Sequence, residues 1–219
     1  MVLKRIILIS LFPVLLAACS VTYEYAIDRY RNSKVCCRDI SEFEYERLSA
    51  KATYIADINE KSPSFNFATG KSYYISLELP PYKQVYKVAI KSYALGEHID
   101  KSHIFFPKIL LLGANYSVLS EVHQSSFKVS KASFGETAKE NKWGLPVKLE
   151  GFVTVDDPKV KYMIILTTDS LLSSSTSYRV LRSSPVILPG LVGTLPLYHD
   201  PIEIPHSPFG RIVVRIVNE

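Results

Sequence analysis

The sequence contains few cysteines, and their spacing argues against the common cysteine-based sites. The 219 residues include three cysteines, Cys19, Cys36 and Cys37, and no Cys-x-x-Cys pair. A thioredoxin-like redox centre is therefore not expected. The histidines also lack the His-x-x-x-His spacing of a helical metal site. We expect no metal and no cofactor. Each histidine is expected at the surface: His98, His103, His123, His199 and His206.

Sequence motifs for catalysis are also missing. Ser125 and Lys128 have the Ser-x-x-Lys spacing, but they lie in a strand-like stretch without the partner motifs of that enzyme class. Asp156 and Asp157 are neighbours in a turn before Pro158, whereas a glycosidase needs two carboxyl groups held across a cleft. We therefore expect no catalytic residues and a protein that is not an enzyme.

The sequence has no strong excess of one charge and no phosphate-binding loop. The formal net charge is +5, and acidic residues interrupt the basic clusters, so a nucleic-acid partner is not expected. The sequence Gly-Lys-Ser at residues 70–72 lacks the earlier glycine of a P-loop, because Phe65 occupies that position. We interpret Gly70 as a turn residue followed by a strand.

The only long apolar run lies at the N-terminus and is typical of a secretory signal peptide. Lys4 and Arg5 precede an apolar stretch over residues 6–16, which is too short and too interrupted for a membrane-spanning helix. The sequence Leu-Ala-Ala-Cys that ends at Cys19 resembles the lipobox of bacterial lipoproteins. An ordinary signal peptide followed by a chance cysteine is the alternative.

The lipobox resemblance implies a cellular location and a division of the chain. Residues 1–18 would be removed, which lowers the net charge from +5 to +3 because Lys4 and Arg5 are lost, and Cys19 would be acylated. Ser20 in place of Asp implies an outer-membrane lipoprotein that faces the periplasm, so the outer membrane is an expected partner. We divide the mature chain into a lipidated tether and N-terminal segment, 19–50, and a β-sandwich domain, 51–219, which could comprise two small β units.

The adjacent cysteines Cys36 and Cys37 allow three interpretations. Free thiols seldom persist in an oxidising compartment, so the pair could form a vicinal disulfide or a bridge to a partner. Neighbouring residues close only a strained ring, because a disulfide prefers Cα atoms farther apart than one peptide bond allows. Two small buried thiols that pack as apolar residues are the third interpretation.

Alternating apolar residues predict strands along most of the chain. In "SYYISLEL" (72–79), every second residue is apolar and belongs to a half-buried strand. Many short segments of this kind and 13 prolines predict an all-β antiparallel sandwich, preceded by a short tether with a possible helix. The helical candidates are residues 39–52, capped by Asp39 or Ser41, and residues 135–143. Six residues are predicted to be buried in the core: Ile75, Leu77, Val88, Ile90, Leu110 and Ile165.

Aromatic residues outside the predicted core are candidates for glycan binding. Trp143 lies in the loop-like sequence "ENKWGLP", where an exposed indole could stack on a sugar or could instead pack over the end of the sandwich. Tyr82 lies in a turn, and Tyr74 and Tyr93 lie opposite the apolar stripes of their strands. The phenylalanines are assigned to core packing: Phe65, Phe67, Phe105 and Phe106.

Several segments resemble one family, and none of them is a catalytic signature. They are the cysteine pair, "SPSFNFATGKSYYISLELP" (62–80), "YKVAIKSYALG" (86–96), "IFFPKILLLGANY" (104–116) and "IPHSPFGRIVVRI" (204–216). In this order they resemble the maltose operon periplasmic protein family, MalM, from about residue 36 to the end, with residues 121–200 departing from its pattern.

The MalM resemblance implies an exported, non-enzymatic protein linked to maltose and maltodextrin uptake. Its partner would be maltodextrin or an envelope protein. The alternative is a structural or assembly lipoprotein that contacts an envelope protein complex.

Overall fold

The structure is a computed structural model, and part of the chain is described by it. The described residues are 21–122, 124–133, 136, 138–142, 144–179, 181–188, 191–198 and 201–217, with the backbone alone for 181–188 and 191–198. Cys19, His123, Trp143 and His199 lie outside these residues, so the expectations for them stay predictions.

The fold is all-β, as the alternating sequence pattern predicts. The strands are β1 (Glu46–Arg47), β2 (Tyr54–Ile58), β3 (Ser64–Phe67), β4 (Gly70–Glu78), β5 (Tyr86–Tyr93), β6 (Lys108–Gly113), β7 (Val118–Val122), β8 (Phe127–Lys131), β9 (Val147–Val155), β10 (Val160–Leu166), β11 (Ser175–Tyr178), β12 (Leu181–Leu188), β13 (Leu191–Tyr198), β14 (Ile202–Pro205) and β15 (Gly210–Val217).

Two sheets form the body of the protein. The first has the order β1-β4-β10-β6-β7, with β3 also paired to β4, and the second has the order β2-β15-β5-β9-β8. The pairs are antiparallel except β1 with β4, which is parallel. Two smaller antiparallel ladders, β11-β14 and β12-β13, lie outside these sheets.

The main core lies between the two sheets. Alternate residues of β4, β6 and β10 join alternate residues of β5, β9 and β15 in one buried apolar cluster, as expected for a sandwich. The six predicted core residues are all buried. Five of them are in this cluster, and Leu110 belongs to a second cluster on the other face of the first sheet. Burying each such side chain contributes about 1.5–3 kcal/mol.

The N-terminal segment covers the outer face of the first sheet. Phe43 stacks on Tyr74 of β4 with ring centroids 4.0 Å apart, and Phe65 and Phe67 pack around the same cluster. Strand β4 is consequently buried on both faces from Ser72 to Leu77. The prediction of a half-buried strand is wrong because the covering segment lies about 30 residues earlier in the sequence.

The N-terminal helix begins earlier than predicted. Helix α1 spans Tyr23–Arg31, its N-cap Thr22 accepts a hydrogen bond from the backbone of Tyr25, and it buries Ala26 and Tyr30. The predicted helix at 39–52 is wrong: Asp39 caps only a single 3-10 turn, Ile40–Glu42. The chain must then extend so that Phe43 reaches Tyr74 and Leu48 bonds to the carbonyl of Glu78, 2.8 Å away.

Few other helical residues occur. Short helix α2, Asp169–Leu172, contacts α1 through the hydroxyl of Tyr30, which donates to Oδ1 of Asp169 over 3.0 Å. Within the predicted segment 135–143, the described residues 136 and 138–142 form turns and bends rather than a helix. No helix in the described part of the chain has the length and apolar content needed to cross a bilayer.

Candidate functional site

One end of the sandwich carries an open groove, which we call the Tyr82 groove. It forms where the chain after β4, the β6–β7 turn and the β9–β10 turn meet, and its volume is about 710 Å³. Its residues are Glu78, Leu79, Pro80, Pro81, Tyr82, Gly113, Ala114, Asn115, Ser117, Leu119, Pro158, Lys159, Val160 and Lys161. This volume lies within the usual range of small-ligand sites.

The groove combines apolar surface with polar groups that can form hydrogen bonds. Leu79 and Val160 are buried and contribute apolar surface, while Tyr82 is half-buried and partly packed against the core. Polar groups come from the carboxylate of Glu78 and the amide of Asn115. This combination suits a sugar, because a sugar has apolar C–H faces and a rim of hydroxyl groups.

The polar side chains of the groove are held by their neighbours. Oδ1 of Asn115 accepts a hydrogen bond from the hydroxyl of Ser117 over 2.7 Å, and Oε2 of Glu78 lies 3.4 Å from Nε of Arg47. The ammonium of Lys161 lies 5.1 Å from the ring centre of Tyr162. Interaction with the Tyr162 hydroxyl raises the pKa of Lys161.

A tyrosine between two groove residues faces a different cluster. Tyr116 has a positive φ of 63°, a conformation that L-residues seldom adopt. Its ring stacks on that of Tyr162 with centroids 4.9 Å apart and an angle of 12°, and Tyr45 packs against the same ring. Tyr116 therefore belongs to the aromatic cover of the first sheet.

Only one of the predicted glycan-binding tyrosines is available for a ligand. Tyr82 lines the groove. Tyr74 and Tyr93 were wrong candidates, because their exposed fractions are 3% and 0%. Phe43 stacks on the ring of Tyr74, and the carboxylate of Glu136 lies close to Tyr93.

The packing predicted for the phenylalanines is confirmed, whereas the surface position predicted for the histidines is wrong for two of them. The four phenylalanines assigned to packing do contact buried clusters: Phe65, Phe67, Phe105 and Phe106. The surface expectation is wrong for His103 and His206, which are 0% and 3% exposed.

Each buried histidine joins separate parts of the chain. Nε2 of His103 donates to the carbonyl of Val21 over 3.0 Å. Nδ1 of His206 donates to the carbonyl of Leu171 over 2.9 Å, which leaves Nε2 to accept from the hydroxyl of Thr176 at 2.7 Å. Burial lowers the pKa of both imidazoles, so they are neutral structural groups. No spacing signal in the sequence marks this role.

The adjacent cysteines form a vicinal disulfide in the structure. Cys36 is solvent-exposed and Cys37 is half-buried. The Tyr74 hydroxyl lies 3.2 Å from Sγ of Cys36 and 3.8 Å from Sγ of Cys37. The disulfide therefore contacts the aromatic cluster that covers the first sheet. The structure therefore departs from the interpretation with two buried thiols.

The metal-ligating side chains and the adjacent carboxylates of Asp156 and Asp157 are the remaining candidates from the sequence. Among the described residues, no group of three or more His, Cys, Asp and Glu side chains could hold a metal ion. Asp157 accepts a hydrogen bond from the backbone of Lys159 over 2.8 Å. This contact gives Asp157 a role in the β9–β10 turn, as its position before Pro158 suggested.

Comparison with known proteins identifies the family of this chain. The family model described as maltose operon periplasmic protein precursor (MalM) matches residues 69–216, about two thirds of the 219 residues. The match runs through residues 121–200, where the sequence shows no segment that resembles the family, and it includes every residue of the Tyr82 groove. No curated protein and no solved structure matches the chain. The chain belongs to the MalM family of maltose operon periplasmic proteins.

Proposed function

We propose that this protein is a non-enzymatic lipoprotein that binds maltodextrin in the Tyr82 groove. In this proposal it is anchored in the outer membrane through Cys19, faces the periplasm, and acts as an accessory protein in maltodextrin uptake. The family supports the periplasmic location and the link to maltose. The groove carries the proposal of binding, because it combines an accessible tyrosine, apolar surface and polar side chains within the matched region.

The shape of the groove favours a linear sugar chain. It is open to solvent and bounded by three loops, so an oligosaccharide can lie across it without being enclosed. The Tyr82 ring offers one stacking surface. Asn115 and Glu78 offer hydrogen-bonding oxygens, and Lys159 and Lys161 offer donors. A site of this kind positions a ligand without a pair of groups for bond cleavage.

Replacing Tyr82 with Ala is expected to weaken maltodextrin binding by about 1–3 kcal/mol, because truncation of a central aromatic contact removes that much affinity. Calorimetry with a maltodextrin series on residues 20–219 measures the change. Tyr25→Ala is the matched control, since Tyr25 is 38% exposed on α1 and does not line the groove. Binding is contradicted if the wild-type protein gives no heat and no shift in melting temperature at millimolar maltodextrin.

The lipid anchor has a separate test. Cells that express the full chain and are grown with an alkyne fatty acid should give a labelled protein in the outer-membrane fraction, and Cys19→Ala should abolish the label. Cys36→Ala is the control and should leave the label unchanged. An unlabelled wild-type protein in the soluble periplasmic fraction would disprove the anchor and leave the binding proposal intact.

A further inference from the structure

The β12–β13 hairpin is one of two two-stranded ladders that lie outside the main sheets. Its two strands pair from Leu181↔Tyr198 to Leu188↔Leu191, and among the described residues neither strand pairs with a third. An isolated two-stranded hairpin is at best marginally stable in water. Contact with another surface would therefore stabilise this arm.

The tip of the hairpin has apolar residues at positions on both faces. Residues that pair across two strands share a face, and the faces alternate along the ladder. Leu188 and Leu191 therefore share one face, and Ile187 and Val192 share the other. A partner that covers a single face would contact only half of these positions, whereas the apolar layer of a lipid bilayer surrounds an inserted tip.

The base of the hairpin suits the charged surface of a bilayer. No Asp or Glu occurs between Asp169 and Asp200, whereas Arg179 and Arg182 lie at the base of the arm. The sequence thus changes from apolar residues at the tip, through Ser183 and Ser184, to arginine. Arginine next to an apolar membrane-contacting segment favours anionic phospholipid head groups.

Two prolines disfavour a partner that would extend the ladder. Pro185 pairs with Thr194, and Pro196 pairs with Ser183. Proline has no N–H to donate to a ladder, so its nitrogen is placed at the outer edge of an edge strand. Each outer edge of the hairpin thus lacks a donor at one position, which discourages the addition of a strand from another protein.

The hairpin extends from a ladder that also contacts the N-terminal end of the structure. Strand β14 pairs with β11 on either side of the hairpin in the sequence. The backbone of Ile104 donates to the carbonyl of Pro205 at the end of β14 over 3.0 Å, and the preceding residue, His103, donates to Val21. An acyl group on Cys19 would hold this part of the protein at a membrane, although the composition of the hairpin is independent of that anchor.

We propose that the β12–β13 hairpin inserts its tip into the interfacial layer of a bilayer that contains anionic phospholipid. The tip consists of residues 186–188 and 191–193. At about 3.4 Å per residue, three residues on each strand reach about 10 Å, which matches the depth of an interfacial segment. The arginines at the base then lie at head-group level.

Vesicle flotation tests the inference on residues 20–219. This chain lacks the acylated cysteine but contains every described residue, including both sheets and the core. The probes are vesicles of phosphatidylcholine alone and vesicles with one quarter phosphatidylglycerol. We expect flotation with the anionic vesicles, and an apparent affinity at least tenfold lower for Ile187→Ser/Val192→Ser. The matched control, Leu181→Ser/Tyr198→Ser, changes a pair at the base of the same ladder and should change the affinity less than threefold.

A fluorescent probe separates insertion from a loss of folding. Leu191→Trp in a Trp143→Phe background should show a blue-shifted emission and quenching by brominated lipid when anionic vesicles are added. Wild-type protein that does not float with anionic vesicles, or an Ile187→Ser/Val192→Ser variant that floats as well as wild type, would overturn the inference. Emission from residue 191 that is insensitive to brominated lipid would do the same.

Discussion

Replacement of Glu136 by Gln should lower the free energy of unfolding by about 3–5 kcal/mol, the usual effect of removing one partner from a buried ion pair. Oε1 of Glu136 lies 2.9 Å from Nζ of Lys91 and also contacts Nζ of Lys148. The three side chains are 5–8% exposed. The variant keeps two buried ammonium groups and removes their shared anion, although Lys148 retains Glu150 at 3.1 Å.

The pH dependence of unfolding should change with this substitution. Burial alone would raise the pKa of Glu136, but the hydrogen bonds from Lys148 and Lys91 outweigh it and hold the pKa below its ordinary value. A lowered pKa in the folded state stabilises the protein above the ordinary glutamate pKa, and this contribution is lost as the pH falls through the folded-state pKa. Wild type should therefore lose more stability than Glu136→Gln on acidification below about pH 4.3, the ordinary glutamate pKa.

Urea unfolding followed by circular dichroism measures both effects. Glu121→Gln is the matched control, because Glu121 pairs with Lys108 at 2.7 Å but is 54% exposed. Its removal should change the free energy of unfolding by less than about 1 kcal/mol. Equal effects of the two substitutions at pH 7 would show that the Glu136 cluster is solvated.

Gly210→Ala should destabilise the protein by about 3 kcal/mol, at the upper end of the usual effect of overpacking a core. A Cβ atom at this position would lie 2.3 Å from Cβ of Phe105, and Phe105 is fully buried. The clash involves an atom that no side-chain rotation can move, so the backbones of β15 and of the Phe105 segment must separate. The pairing of Gly210 with Ile58 resists that movement.

Thermal and urea unfolding of Gly113→Ala provide the comparison for Gly210→Ala. At Gly113 the nearest atom is Oδ1 of Asn115 at 3.2 Å, and this side chain can shift. We expect a change below about 1 kcal/mol there. A Gly210→Ala protein as stable as Gly113→Ala would mean that the start of β15 accommodates the methyl group, contrary to the close contact with Phe105.

The sequence predicted the strands and the main core because both depend on local alternation. Ile75 and Leu77, two residues apart on β4, are buried as their period of two indicates. The same pattern could not show that Tyr74 is covered, because its cover comes from Phe43 in another part of the chain. Local periodicity identifies which face of a strand is apolar, but it does not show what packs on the opposite face.

The helix error has a related cause. Asp39 is a capping residue, and it does cap a turn. The helix does not continue because Phe43 and Leu48 make better contacts in an extended chain. The signal for α1 was present in Thr22 as an N-cap and in Ala26 and Tyr30 at a spacing of four, a pattern that predicts an amphipathic helix.

The candidate site was only partly predictable. Tyr82 was identified from its position in a turn, but the groove depends on three turns that meet only after the sheets form. The charged cluster at Glu136 joins residues of the second sheet to a loop, and no sequence spacing indicates that two lysines there would be buried. Contacts between residues that lie far apart in the chain cannot be predicted from the local pattern of a single sequence.

The contact between His103 and Val21 limits the length of free chain between the proposed lipid anchor and the folded domain. Val21 is fixed to the body of the protein, so two peptide units, about 7 Å of extended chain, join it to Cys19. If Cys19 is acylated, a protein held this closely would stay near the membrane surface. Its encounters with a ligand would then take place in a thin layer along the membrane and would depend on lateral diffusion in two dimensions.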